Sequence, residues 1–127
     1  MAFFSNLDLN VQARGTWSMN DLIDAGMRTF GNIADRWALD PQERSQVLGL
    51  AAGGLPTEAT LVRISHVFFI YRAIHTLLPV EERADAWMHA INSAAPFSGR
   101  APIDLVIGGE IEAVRSYLGA ALEPSFT

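Results

Sequence analysis

The sequence predicts an all-α fold, a compact bundle of five to six helices. Three observations carry that expectation: apolar residues recur at helical spacing through most of the chain, helix-start chemistry stands ahead of each such run, and no alternating segment exceeds four residues. The length of 127 residues with 50% hydrophobic content suits one core without covalent staples.

Residues 1–17 form an N-terminal arm without a clean period. Phe3, Phe4, Leu7, Leu9, Val11 and Trp17 are too apolar for a solvated tail, so the arm is expected to pack on its own core, on a second copy or on a partner. Ser18 with Asp21 three residues on approximates a capping box. Met19, Leu22, Ile23, Met27, Phe30, Ile33, Ala34 and Trp37 follow as one stripe. Asp40, Pro41 and Glu43 open a second, short helix to Leu48, and Gly49 stops it.

After a Gly- and Pro-bearing loop, Thr57 caps a long helix. Leu61, Ile64, Phe68, Tyr71, Ile74 and Leu78 line one side, and Val67, Ile70 and Leu77 widen the apolar arc. A helix apolar around most of its circumference belongs at the centre of a core. Pro79 ends it. A fourth helix from about Val80 to Ala90 carries Ala84, Trp87, Met88 and Ile91 on its apolar side, and a loop covers Asn92 to Arg100. A short helix from Pro102 to Ile107 precedes Gly108 and Gly109. A last helix from about Glu110 to Ala121 shows Ile111, Val114, Tyr117, Leu118 and Ala121 on one face.

Charge narrows the partner class. The net charge is −5, every cation is arginine, and the excess of acids lies mostly beyond residue 78. Such a balance argues against nucleic acid as the main partner and leaves room for a basic protein. With no cysteine, disulfides and thiolate metal sites are excluded. His66, His75 and His89 lack the spacing that puts two ligands on one helix face, so no metal is expected. No nucleophile elbow, phosphate loop or dinucleotide fingerprint is present. The expectation is a non-enzyme without cofactors. No apolar run reaches the length of a membrane span, and no basic stretch precedes the apolar residues of the arm, so a soluble, cytoplasmic protein is expected.

The helices around Ile33 and Val47 resemble the opening of a helix-turn-helix, but no polar recognition helix follows Leu50, and Arg63 is at best a single phosphate contact. A DNA-binding autoregulator is therefore the alternative reading, and a helical oligomerisation module a plainer one.

The C-terminal half carries an ordered set: Trp87, Asn92, Pro96-Phe97, Gly99, Pro102-Ile103-Asp104-Leu105, Gly109, Val114 and Leu118. This set resembles the toxin-binding domain of the Xre/MbcA/ParS antitoxin family, and the resemblance extends over roughly residues 30 to 122. Taken alone, the same residues describe structure: an anchoring Trp87, Pro102 and Asp104 in a first helical turn, and a Gly-terminated helix. The resemblance implies residues 18–60 as a degenerate Xre-like, helix-turn-helix-like region and residues 61–127 as the central helix plus toxin-binding domain. It further implies an antitoxin of a type II toxin–antitoxin system that binds a RES-domain, NAD-utilising toxin and occludes its NAD-binding site, as a homo-oligomer or a toxin–antitoxin hetero-oligomer. The contact is expected on Phe97, Arg100, Glu110, Glu112, Arg115 and Glu123, with Trp87, Asn92, Pro102, Asp104, Leu105, Gly109 and Leu118 as the structural motif.

Overall fold

In the computed structural model, residues 17–51 and 53–124 are described. They form six α-helices in the order α1 (Met19–Arg36), α2 (Pro41–Leu48), α3 (Glu58–Leu77), α4 (Glu81–His89), α5 (Pro102–Ile107) and α6 (Ile111–Leu122). The expectation for the arm falls on residues 1–16, outside the described residues, and only Trp17 of it is seen, 56% exposed.

The helix starts follow local chemistry. Ser18 Oγ accepts from the Asp21 backbone N–H, and the Asp21 carboxylate accepts from the Ser18 N–H, both at 3.0 Å. The same reciprocal pair joins Asp40 and Glu43 at the start of α2. At α3 the Thr60 hydroxyl reaches back to accept from the Thr57 N–H at 2.9 Å, which also accounts for a buried threonine. Gly49 closes α2 in the left-handed region at φ 70°. There an added Cβ would lie 3.0 Å from the Arg63 guanidinium.

One core joins all six helices. It runs from Phe30 and Trp37 through Val47, Ile64, Val67, Ile70 and Ile74 to Met88, Leu105, Val114 and Leu118. The central helix α3 packs on α6 on one side and on α1 on the other, with α4 and α2 against its ends. The proposed boundary at residue 60/61 thus falls inside α3, and the two regions share their apolar interior. Gly26 lets α1 approach α3 closely, since a Cβ there would sit 3.1 Å from the Leu61 side chain. Arg36, at the end of α1, binds Asp85 at 2.6 Å and also Glu81, so α1 is tied to α4. These carboxylates, Asp85 foremost, hold the guanidinium well above its ordinary pKa.

Several apolar assignments change, Met19 and Ala121 among them, which are exposed at the first and last turns of α1 and α6. Ile91 lies beyond the end of α4, which stops at His89, and is 79% exposed. Leu22 and Leu77 are also exposed, at the rims of depressions between α1 and α3 and between α3 and α6.

Ile64 is fully buried at the α1–α3 contact. Ile64→Ala is expected to lower stability by about 2–5 kcal/mol in urea or guanidinium unfolding; a loss below about 1 kcal/mol would contradict this core. Asp21 gives a pH signature. Hydrogen bonds from the Ser18 backbone N–H and then its hydroxyl hold the carboxyl below its ordinary value. A depressed folded pKa contributes stability at neutral pH that is lost as pH falls through that value. Asp21→Asn is therefore expected to narrow the difference in urea midpoint between pH 6 and pH 3.

Candidate functional site

The chain from Trp87 to Leu118 builds one braced surface. After α4, the loop closes on itself: the Asn92 N–H donates to the Arg100 carbonyl at 3.1 Å, and the Gly99 N–H donates to the Asn92 carbonyl at 2.8 Å. Asn92 Oδ1 accepts from the Ala94 N–H at 2.9 Å, a local turn that suits asparagine. Phe97 then projects inward. Its ring meets Trp87 edge-on at 5.7 Å and Tyr117 edge-on at 5.0 Å, while Trp87 and Tyr117 stack at 6.4 Å. Three separate segments, α4, the loop and α6, meet in this triangle. Aromatic edge-to-face pairs add about 0.5–1.5 kcal/mol beyond the area they bury.

Phe97 is consequently corrected from a contact residue to a core residue, 0% exposed. It is an apolar side chain with two aromatic neighbours, and the sequence alone could not place those neighbours. Arg100 and Glu110 also face each other, at 3.0 Å, and Arg100 Nε donates to the Phe97 carbonyl at 3.3 Å. The pair closes the loop onto the start of α6 and largely cancels its own charge.

Arg115 turns toward the body of the protein. Its guanidinium lies 4.4 Å from the centre of the Phe69 ring, and Nη1 donates to His66 Nδ1 at 2.9 Å. Because arginine can only donate, Nδ1 is the acceptor, and a neutral His66 carries its proton on Nε2, 4.0 Å from Glu112. His75 is fixed the other way: its Nδ1 donates to the Tyr71 carbonyl at 2.8 Å, with Nε2 3.7 Å from Asp85. The two histidines serve separate seams. Among the described residues no group of three or more His, Asp or Glu side chains is placed to hold a metal.

The motif residues divide cleanly. Pro102, Leu105 and Leu118 are buried, and Trp87 and Asn92 are half-buried. Asp104 is exposed in the first turn of α5, and Gly109 turns the chain into α6 at φ 91°. What remains open is the outer ridge of α6. Glu112, Ser116, Ala120 and Glu123 are all exposed and recur at steps of three or four residues, so they share one face. The Glu112 side chain is 84% exposed. Small side chains in the middle and a carboxylate toward each end give a narrow, acidic ridge of about 16 Å, at 1.5 Å per residue.

Arg63, considered above as a phosphate contact, is engaged inside the fold. Its Nη1 donates to the Val47 carbonyl at 3.2 Å, and its guanidinium covers Gly49.

The bracing and the ridge make different demands. Phe97→Ala is expected to cost about 3–5 kcal/mol of stability. Glu110→Gln, at a half-exposed ion pair, is expected to cost no more than about 1 kcal/mol. Equal losses in thermal or chemical unfolding would contradict the burial described for Phe97.

No family model and no solved structure matches the chain. A curated relative does: over 112 residues the chain is 34% identical to the "Uncharacterized protein y4oB" of Sinorhizobium fredii (strain NBRC 101917 / NGR234), an alignment covering 77% of this chain and 84% of that protein. With identity at that level over most of both chains, this protein belongs to the same family as y4oB of Sinorhizobium fredii.

Proposed function

We propose that the chain is the antitoxin of a type II toxin–antitoxin system, which neutralises a RES-domain, NAD-utilising toxin by binding over its NAD-binding site. The observation that supports this reading most directly is the exposed ridge Glu112–Ser116–Ala120–Glu123 on α6, held by the aromatic triangle beneath the loop. A cleft that receives a dinucleotide must accept a pyrophosphate, so it is expected to be basic and narrow. A slim helix edge with carboxylates toward its ends has the charge and the shape to enter such a cleft. The run of residues that resembles the Xre/MbcA/ParS toxin-binding domain forms the platform behind the ridge and supports the same partner.

The role needs no catalytic group or cofactor from this chain. Binding energy alone keeps NAD out, because ligand and antitoxin compete for one surface. Arg100 and Glu110 hold the loop against α6, and Arg115 steadies α6 on α3, so these three act by keeping the ridge rigid. A preformed edge loses less freedom on docking than a mobile one. The proposed setting is the cytoplasm, as part of a toxin–antitoxin hetero-oligomer. No helix among the described residues is long and apolar enough to cross a membrane.

The test is co-expression with the product of the adjacent open reading frame, followed by binding and NAD consumption with purified proteins. The wild-type chain is expected to restore growth and stop NAD turnover. The double reversal Glu112→Arg/Glu123→Arg is expected to weaken the complex at least about tenfold, equivalent to 1.4 kcal/mol, mainly through slower association at low salt. Failure of the wild-type chain to rescue growth, or a complex that still consumes NAD, would sink the reading. Unchanged affinity of the double variant would remove the ridge from it.

A further inference from the structure

A cleft of about 490 Å³ lies between α3 and α6, within the size range of small-molecule sites. Phe68, Phe69 and Leu122 line it together with two cations, Arg72 from α3 and Arg115 from α6. Among the described residues no aspartate or glutamate lines it, in a chain whose net charge is −5. Arg72 also borders the neighbouring cavity between α1 and α3, as does Arg36. Arg36, however, is held by Asp85 and Glu81. None of the ion pairs among the described residues uses Arg72 or Arg115.

Arg115 is positioned in advance. Its guanidinium lies 4.4 Å from the Phe69 ring centre and gives one N–H to His66 Nδ1, so its other N–H groups remain for a guest. The Ser65 and Thr76 hydroxyls at the same cleft donate to the Val62 and Arg72 carbonyls at 2.6 and 2.8 Å, which leaves the two guanidiniums as its donors. Gly119 is an independent sign. It stands four residues after Arg115 and three before Leu122, on their side of α6. A Cβ there would lie 3.8 Å from the Phe69 ring, an ordinary contact. Packing would therefore admit alanine, which a helix interior prefers to glycine, and glycine instead keeps space open above Phe69.

We propose that this cleft binds a small organic phosphate monoester, with the phosphate between Arg72 and Arg115 and an apolar body over Phe69 in the space that Gly119 leaves. A monoester carries nearly two negative charges at neutral pH, which matches two guanidiniums that have no carboxylate beside them in the cleft. The planar guanidinium fork suits phosphate oxygens, and the stacking of Arg115 on Phe69 reduces the freedom it loses on binding. The aromatic lining takes up the rest of the molecule. The site lies apart from the Glu112–Glu123 ridge, and the assignment is independent of the antitoxin reading.

Phenyl phosphate is the probe, titrated into the isotopically enriched full chain at about 0.15 M salt and read by NMR. Saturable shifts are expected at the amides of Phe69, Ala73, Gly119 and Leu122, with those of Ile103 and Leu105 in α5 unmoved. A dissociation constant of about 1 mM or below is expected for a ligand of this size. Inorganic phosphate, which lacks the body, and benzyl alcohol, which lacks the charge, are each expected to bind at least about tenfold more weakly. Arg72→Gln, at an exposed position outside the core, is expected to weaken phenyl phosphate at least about tenfold. Gly119→Leu, which fills the cleft and keeps both arginines, is expected to abolish the saturable shifts. Three results overturn the proposal: shifts that do not saturate or that extend over α5, inorganic phosphate binding as tightly as phenyl phosphate (an adventitious ion only), or an affinity that neither variant changes.

Discussion

Burial of α3 between α1 and α6 is the constraint that organises this protein, and it leaves one solvent-facing stripe of Glu58, Val62, Ser65, Arg72 and Thr76. Ile64, Val67, Ile70, Ala73 and Ile74 are each almost wholly removed from solvent, and they point in different directions around the helix. A single neighbour could not cover them. α1 and α6 must therefore lie along opposite flanks, with α2 and α4 at the ends. Fully burying the valine and isoleucine side chains among them contributes about 1.5–3 kcal/mol each. The residues that hold the flanks in register, Gly26 at the α1 contact and Arg115 over Phe69 at the α6 contact, matter because they set how closely each flank approaches.

That arrangement separates two kinds of surface. On the α6 side, the aromatic triangle and the Arg100–Glu110 pair fix a ridge whose acids face outward. On the α1 side, two mostly apolar depressions lie between α1 and α3, lined by Leu22 and Gly26 in one and by Ile33 and Tyr71 in the other. The acidic excess read beyond residue 78 divides accordingly. Glu81 and Asp85 are used internally by Arg36, and Glu110 by Arg100, while Glu112 and Glu123 stay available at the surface. Net charge alone does not distinguish these roles; the distances do.

Helix existence and most boundaries were legible from the chain because they depend on chemistry within four residues. Ser18 with Asp21, Asp40 with Glu43, and Pro41 and Pro102 at first turns each signal a start without knowledge of the rest of the fold. The site was legible only as a region. Phe97 in a turn with Pro and Gly reads as an exposed tip, and what draws it inward is contact with Trp87 and Tyr117, ten and twenty residues away. Arg115 likewise reads as a surface cation until His66 and Phe69, more than forty residues earlier, are seen to receive it. Ile91 fits the period of α4 but lies past its end. Periodicity locates faces; it does not say which neighbour occupies them.

The connection between α2 and α3 contrasts with the loop before α5. Gly53, Gly54 and Leu55 are exposed, Leu55 at 81%, whereas α2 is held independently by Arg63 on the Val47 carbonyl and by its packing on α5. A break or an inserted reporter at Gly53–Gly54 would leave those attachments in place. Cleaved there, the chain would persist as two fragments held together by the shared core.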